Sequence, residues 1–153
     1  MIVRRAVEAD LSQYLVLANR FHAASPVHNV IPFDNEGYSE FYRGALASEA
    51  LALWVAEDSD VLIGIAGAIA YPMYFSPTHK VVQELWWWLE PQSRGSGAGK
   101  GMFNAIDQWA KKVGATALLM AALEDNRTEK MHNVYARAGF TPMERTFIRE
   151  VAQ

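Results

Sequence analysis

The chain has 153 residues, 51% hydrophobic and 20% charged, with a formal net charge of −3. That length allows one full core and is short for two ordinary domains, so residues 1–153 are expected to form a single soluble domain. The charge provides no general attraction to nucleic acid or anionic membranes, which rests on clustered Lys and Arg. The absence of cysteine excludes disulfides, thiolate nucleophiles and Cys-ligated metals.

His22, His28, His79 and His132 never stand three or four residues apart, so no metal site is expected. The N-terminus, MIVRRAVEAD, turns charged too soon for a secretory signal, and the longest apolar run, VLIGIAGAIAYPMYF, is shorter than the ~20 residues of a membrane span. A cytosolic location is expected.

In chain order, IVRRA predicts a short strand. Between Glu8 and Ala24, the residues Leu11, Tyr14, Leu15, Ala18 and Phe21 recur at helical spacing and predict an amphipathic helix. The irregular SPVHNVIPFDNEG follows, then a second helix around Tyr38 to Ala47; this region is expected to face substrate. LALWVAED and VLIGIAGAIAYPMYF, joined by Asp58-Ser59-Asp60, predict an antiparallel hairpin, and VVQELWWWLE a third strand. Met102, Phe103, Ile106, Trp109, Ala110 and Val113 mark one face of a helix ending at Lys111, Lys112 and Gly114. ATALLMAAL predicts a strand covered on both sides. A helix from Thr128 to Gly139 and a strand near Glu144 to Val151 complete the order β-α-α-β-β-β-α-β-α-β.

Strand, glycine-rich turn and helix in succession form a phosphate-binding arrangement, because the first N–H groups of a helix lack internal partners and sit at the positive end of its dipole. The spacing of RGSGAGKG fits neither G-x-x-x-x-G-K-[ST] nor G-x-G-x-x-G. It fits [RQ]-x-x-G-x-[GA], as Arg94-Gly95-Ser96-Gly97-Ala98-Gly99, three residues after Pro91.

With this motif in its strand-to-helix setting, the chain resembles the GNAT superfamily of acetyl-CoA-dependent N-acetyltransferases, most strongly between residues 81 and 140. The resemblance implies an α/β (α+β) fold: a mixed central sheet with helices on both faces and a splayed strand pair for acetyl-CoA. It implies that the N–H groups from Arg94 through Gly95, Ser96, Gly97, Ala98 and Gly99 to Lys100 cradle the coenzyme A pyrophosphate, with the Lys100 side chain in solvent. It also implies that the Leu89 N–H polarises the thioester carbonyl. ELWWWLEP together with YARAGFTPMERTF further resembles small GNAT proteins of bacteriophages and prophages.

Thioester aminolysis needs a neutral amine and a proton for the departing thiolate. Glu84, upstream of the glycines and beside three tryptophans, is the candidate base, since burial raises a carboxyl pKa; a purely structural carboxylate is the alternative. By strict alternation Glu84, Trp86, Trp88 and Glu90 share a face, although the bulge usual in the family would shift that pattern. The tryptophans are either core or acceptor-pocket wall. Tyr135 matches the Tyr of the family's Y-x-x-x-G-F signature and is the candidate acid. Where the family often carries a coenzyme-contacting Asn, this chain has Thr128, expected to cap the helix; Asn126, two residues earlier, is the candidate replacement. His22 and His28 border the expected acceptor site, and Asp34, Glu36 and Glu40 are placed to attract a cation.

The expected reaction transfers acetyl from acetyl-CoA to a primary amine, either a small molecule or a protein lysine or N-terminus. A catalytically silent acetyl-CoA-binding sensor is the alternative. The acceptor and oligomeric state stay open, a homodimer among the options.

Overall fold

An antiparallel meander builds most of the sheet, and one crossover adds its last strand. The structure is a computed structural model that describes residues 1–125 and 127–151. Strands β1 (Ile2–Arg5), β2 (Leu51–Asp58), β3 (Val61–Met73) and β4 (Ser76–Leu89) pair antiparallel in that order, and β5 (Ala117–Leu119) lies parallel to β4. Asp58 pairs with Val61 across a two-residue turn in which Ser59 and Asp60 take φ of 51° and 64°. Positive φ at both central positions is what a tight hairpin of this hand requires.

Helices cover both faces. On one side α1 (Leu11–Ala24) and α2 (Asn35–Ala47) bury Tyr14, Leu17, Ala18, Tyr42 and Ala45 against Leu53, Val55, Ile65, Trp86 and Trp88. On the other, α3 (Ala98–Lys112) lays Ala98, Met102, Ile106 and Ala110 on Ala52, Ala56, Ala66, Ala68 and Val82. Alanines on β2 and β3 let this helix approach closely. At Gly101 a Cβ would stand 2.9 Å from a Val3 methyl, so any larger residue where α3 crosses β1 would force Val3 to shift. Helix α4 (Thr128–Arg137) follows β5.

The α2 helix starts at Asn35, earlier than the apolar pattern around Tyr38 suggests, because the Asp34 carboxylate accepts the N–H groups of Glu36 and Gly37, each at 3.0 Å. Three expectations are corrected. The strand predicted across ATALLMAAL reaches only from Ala117 to Leu119 and is half-buried to exposed, because the sheet opens beyond it. The strand expected at 144–151 does not form among the described residues, and Phe147 is 85% exposed. A three-residue β5 is a short edge to pair with, and the adjacent Phe147 and Ile148 would point to opposite faces. Thr128 is the first residue of α4 and not its cap; its hydroxyl donates to the Leu123 carbonyl at 2.7 Å and accepts the Asp125 N–H at 2.9 Å.

Candidate active site

The site starts from one extra residue. Gly67 pairs with Trp86 but Ala68 pairs with Glu84, which leaves Leu85 unpaired as a β-bulge on β4. Simple alternation is therefore broken: Trp86 and Trp88 pack toward α1 and α2, while Val82, Trp87 and Leu89 pack toward α3. Glu84 follows the α3 side and parts company with Trp86 and Trp88. Trp86 lies flat over Gly67, where a Cβ would come within 2.4 Å of the indole, and its Nε1 donates to the Tyr14 hydroxyl at 2.9 Å. Both tryptophans are core residues, and Trp86 also walls a cavity between α1, α2 and β4.

Just before the bulge the parallel pair separates. The pairing of β4 with β5 spans Val81 to Gln83, and from Glu84 onward no strand flanks β4 on that side among the described residues. The Glu90 N–H donates to the Ile63 carbonyl at 2.9 Å, so alternation turns the polar groups of Trp88 toward β3 and those of Leu89 toward the open edge. Arg94 Nε donates to the Leu89 carbonyl at 3.1 Å, while its guanidinium lies 5.1 Å from the Trp88 ring centroid. The neighbouring Leu89 N–H faces the wedge.

The expected acid and base come together across this wedge. Glu84 is 6% exposed and accepts the Ala121 N–H at 3.0 Å. Burial pushes its carboxyl from 4.5 up to about 7, against the opposing effect of that hydrogen bond. Tyr135, 8% exposed, donates its phenol proton to the Ala121 carbonyl at 2.6 Å. Burial and then the charge of Glu84 push its ionisation well above the ordinary phenol range. The ring packs among Trp87 and Phe140 at 6.5 and 5.6 Å between centroids.

At the mouth of the wedge, Gly95 and Gly97 take φ of 92° and 94°, a conformation L side chains rarely adopt. The turn thereby aims its amides outward. The Ser96 N–H is satisfied by Ser93, and that of Ala98 by the Ser96 hydroxyl at 3.3 Å. Among the described residues no protein acceptor takes the N–H groups of Gly95, Gly97, Gly99 or Lys100. Four free donors at the start of a 15-residue helix are the kind of arrangement that can receive an anion. Gly99 packs beside Trp87, where a Cβ would make an ordinary 3.6 Å contact, and Lys100 is exposed as expected. Burial, then the nearby charge of Arg127, draws the Arg94 guanidinium below its ordinary value. Asn126 lies outside the described residues.

Other candidates are engaged elsewhere. The rings of His22 and His28 donate to the carbonyls of Ile31 and Ser25 at 2.7 and 2.6 Å and hold the segment between α1 and α2. Asp34 caps α2, while Glu36 and Glu40 are exposed. Sequence reasoning missed Tyr14, fully buried, whose hydroxyl donates to the Ala66 carbonyl at 3.0 Å while holding Trp86. It also missed Glu90, which accepts Trp88 Nε1 at 2.9 Å and Arg20 at 2.8 Å. Burial pushes the Glu90 carboxyl up, but these donors outweigh it and leave it below its usual range. A carboxylate two residues past a tryptophan on one strand was the available signal.

The family model described as acetyltransferase (GNAT) family matches residues 16–140. The chain belongs to the GNAT family. Solved structures share its fold at low identity. The apo aminoglycoside 6'-N-acetyltransferase AAC(6')-Ig from Acinetobacter haemolyticus is 20% identical, with a TM-score of 0.75 over 100% of this chain and 99% of its own. AAC(6')-Iy in complex with a bisubstrate analogue, CoA-S-monomethyl-acetylneamine, is 19% identical, with a TM-score of 0.78 over 99% and 98%. A protein from Clostridium acetobutylicum described as a predicted acetyltransferase, solved with acetyl-CoA, is 21% identical, with a TM-score of 0.76 over 97% and 95%. No curated protein matches the chain in sequence. As a GNAT protein it is an acyltransferase with acetyl-CoA as cosubstrate, and the free amides ahead of α3 and the wedge beside β4 have the chemistry that cosubstrate needs. Among the described residues, no helix is long and apolar enough to cross a membrane.

Proposed function

We propose that this GNAT protein transfers the acetyl group of acetyl-CoA to a primary amine, with Glu84 as base and Tyr135 as acid. The observation that carries this reading is the open edge of β4. Along it stand, in order, a buried carboxyl titrating at about 7, an unpaired Leu89 N–H and the glycine turn, with the Tyr135 phenol opposite. The turn binds the diphosphate through the amides of Gly95, Gly97, Gly99 and Lys100, and Arg94 adds positive charge; the nearby Arg127 is paired with Asp125. Leu89 donates to the thioester oxygen, stabilising the negative charge that grows there; such a donor contributes about 10² to 10³ in rate.

The amine nitrogen bonds to the thioester carbon, the C–S bond breaks, and the sulfur leaves with the electron pair. The amine proton passes to the Glu84 carboxylate, directly or through water, and the thiolate takes the Tyr135 proton. A pKa near 7 suits a base working at neutral pH, and a phenol kept protonated by burial is always loaded as donor. The proton cycle closes when Glu84 releases its proton to solvent and Tyr135 recovers one.

The test combines calorimetry with thiol release. Acetyl-CoA binding, amine-dependent release of free thiol, and release slowed about 10-fold to 100-fold in Tyr135→Phe are the expected results. Binding without thiol release from any amine would identify a silent binding module instead, and absence of binding would end both readings.

A further inference from the structure

The cavity on the α1 and α2 side of β4 has a volume of about 150 Å³ and is lined by Phe21, His22, Val27, Phe33, Tyr38 and Trp86. Its rings form a continuous wall: His22 to Phe33 at 5.4 Å, Phe33 to Tyr38 at 5.1 Å, and Tyr38 to Trp86 at 5.8 Å between centroids. An apolar cavity of about 150 Å³ takes one benzene-sized ring. Trp86 stands immediately after the bulged Leu85, so the cavity lies on the face of β4 opposite Glu84, along the stretch of strand where pairing with β5 has ended.

Resting on the acetyl-transfer reading above, we infer that the acceptor is a primary amine joined by a short chain to a single aromatic or similarly sized apolar ring. The ring occupies this cavity and the amino group reaches the opened edge of β4. Edge-to-face packing against Phe33, Tyr38 and Trp86 rewards an aromatic ring beyond its area. The wall is rigid on the β4 side, because Trp86 is clamped between Gly67 and the Tyr14 hydroxyl.

Charge separates this acceptor from a polycationic one. A sugar with several ammonium groups needs a free carboxylate for each, since an unpaired buried charge is costly. Here no carboxylate lines the cavity, Asp34 is spent capping α2, and Glu90 is held by Arg20 and Trp88. Among the described residues Glu84 is the buried carboxylate without a cationic partner, enough for one amino group, while Glu36 and Glu40 stand exposed on α2. The shared fold with aminoglycoside acetyltransferases therefore does not extend to their acceptor. The Tyr38 hydroxyl has no protein partner among the described residues and offers a polar contact to a ring substituent.

The deciding experiment measures kcat/KM on the wild-type protein with acetyl-CoA and 2-phenylethylamine, the peptide Phe-Gly-Gly, spermidine or kanamycin. Expected is at least a tenfold preference for 2-phenylethylamine over spermidine and kanamycin. Comparable turnover of Phe-Gly-Gly supports the same ring chemistry carried on a peptide N-terminus, and its rejection assigns the free amine. Val27→Trp, which fills the cavity, should lower kcat/KM for 2-phenylethylamine tenfold or more while acetyl-CoA affinity by calorimetry stays unchanged. Kanamycin or spermidine preferred over both aromatic acceptors, or acetyl-CoA bound with neither aromatic acceptor used, overturns the inference and leaves acetyl-CoA recognition standing. Failure to bind acetyl-CoA removes the parent reading as well.

Discussion

Glu84 and Tyr135 grip the two backbone polar groups of a single residue: the carboxylate accepts the Ala121 N–H at 3.0 Å and the phenol donates to the Ala121 carbonyl at 2.6 Å. The candidate base and acid are thus tied to the same residue of the segment that follows β5. Either can serve a bound thioester only by sharing or releasing Ala121, which ties their chemistry to occupancy of the wedge.

The pH dependence of kcat/KM should follow Glu84. With its carboxyl titrating at about 7, activity rises as pH passes through that value and levels above it. Glu84→Gln should lower kcat/KM by about 10²-fold and abolish this limb. A rate profile of the variant that keeps the same limb would assign the titration to another group.

Stability should run the other way. A carboxyl raised from 4.5 to about 7 binds its proton more tightly in the folded chain, so its contribution is fully present below 4.5 and lost as pH rises through 7. The loss amounts to at most about 3 kcal/mol. Urea unfolding at pH 5 and pH 8 should show the drop in wild type and a smaller one in Glu84→Gln, where the amide oxygen still accepts from Ala121.

Tyr135→Phe should lower kcat by about 10-fold to 100-fold with little change in the KM for acetyl-CoA, because the phenol is assigned to proton delivery and not to cosubstrate binding. Loss of the bond to Ala121 also removes about 1 kcal/mol of stability. Steady-state kinetics beside chemical denaturation separates the two effects; unchanged kcat in a destabilised variant would reduce Tyr135 to packing.

Gly97→Ala tests the turn. The residue takes φ of 94° as cap of α3, where a Cβ is strained although nothing crowds it within 3.4 Å. The turn should readjust at a cost of roughly 1 to 2 kcal/mol, misaligning the free amides. Acetyl-CoA affinity by calorimetry should fall about tenfold, and an unaltered affinity would show that these amides do not hold the diphosphate.

Tyr14→Phe should destabilise the fold without a cavity. It leaves the Trp86 indole N–H, buried in the core, with no acceptor, at a cost of about 1 to 3 kcal/mol. Equilibrium unfolding in guanidinium measures it, and a loss below 0.5 kcal/mol (roughly the surface-substitution range) would mean that Trp86 finds another acceptor.

Much of this protein was legible in local pattern. Helical spacing located α1, α3 and α4, the Ser59-Asp60 turn located the hairpin, and the glycines between Arg94 and Lys100 located the turn that opens α3, because periodicity and turn chemistry act within a few residues. What only the tertiary structure decided depends on a second strand or helix. The Leu85 bulge, which moved Glu84 to the face opposite Trp86 and Trp88, exists only in register with Gly67 and Ala68. The early end of β5 follows from the parting of two strands, which no apolar run in ATALLMAAL records. The role of Glu90 likewise appears only when α1 brings Arg20 to it from 70 positions away. Short-range rules write themselves into neighbouring residues, whereas pairing register, burial and the meeting of Glu84 with Tyr135 at Ala121 belong to the folded chain.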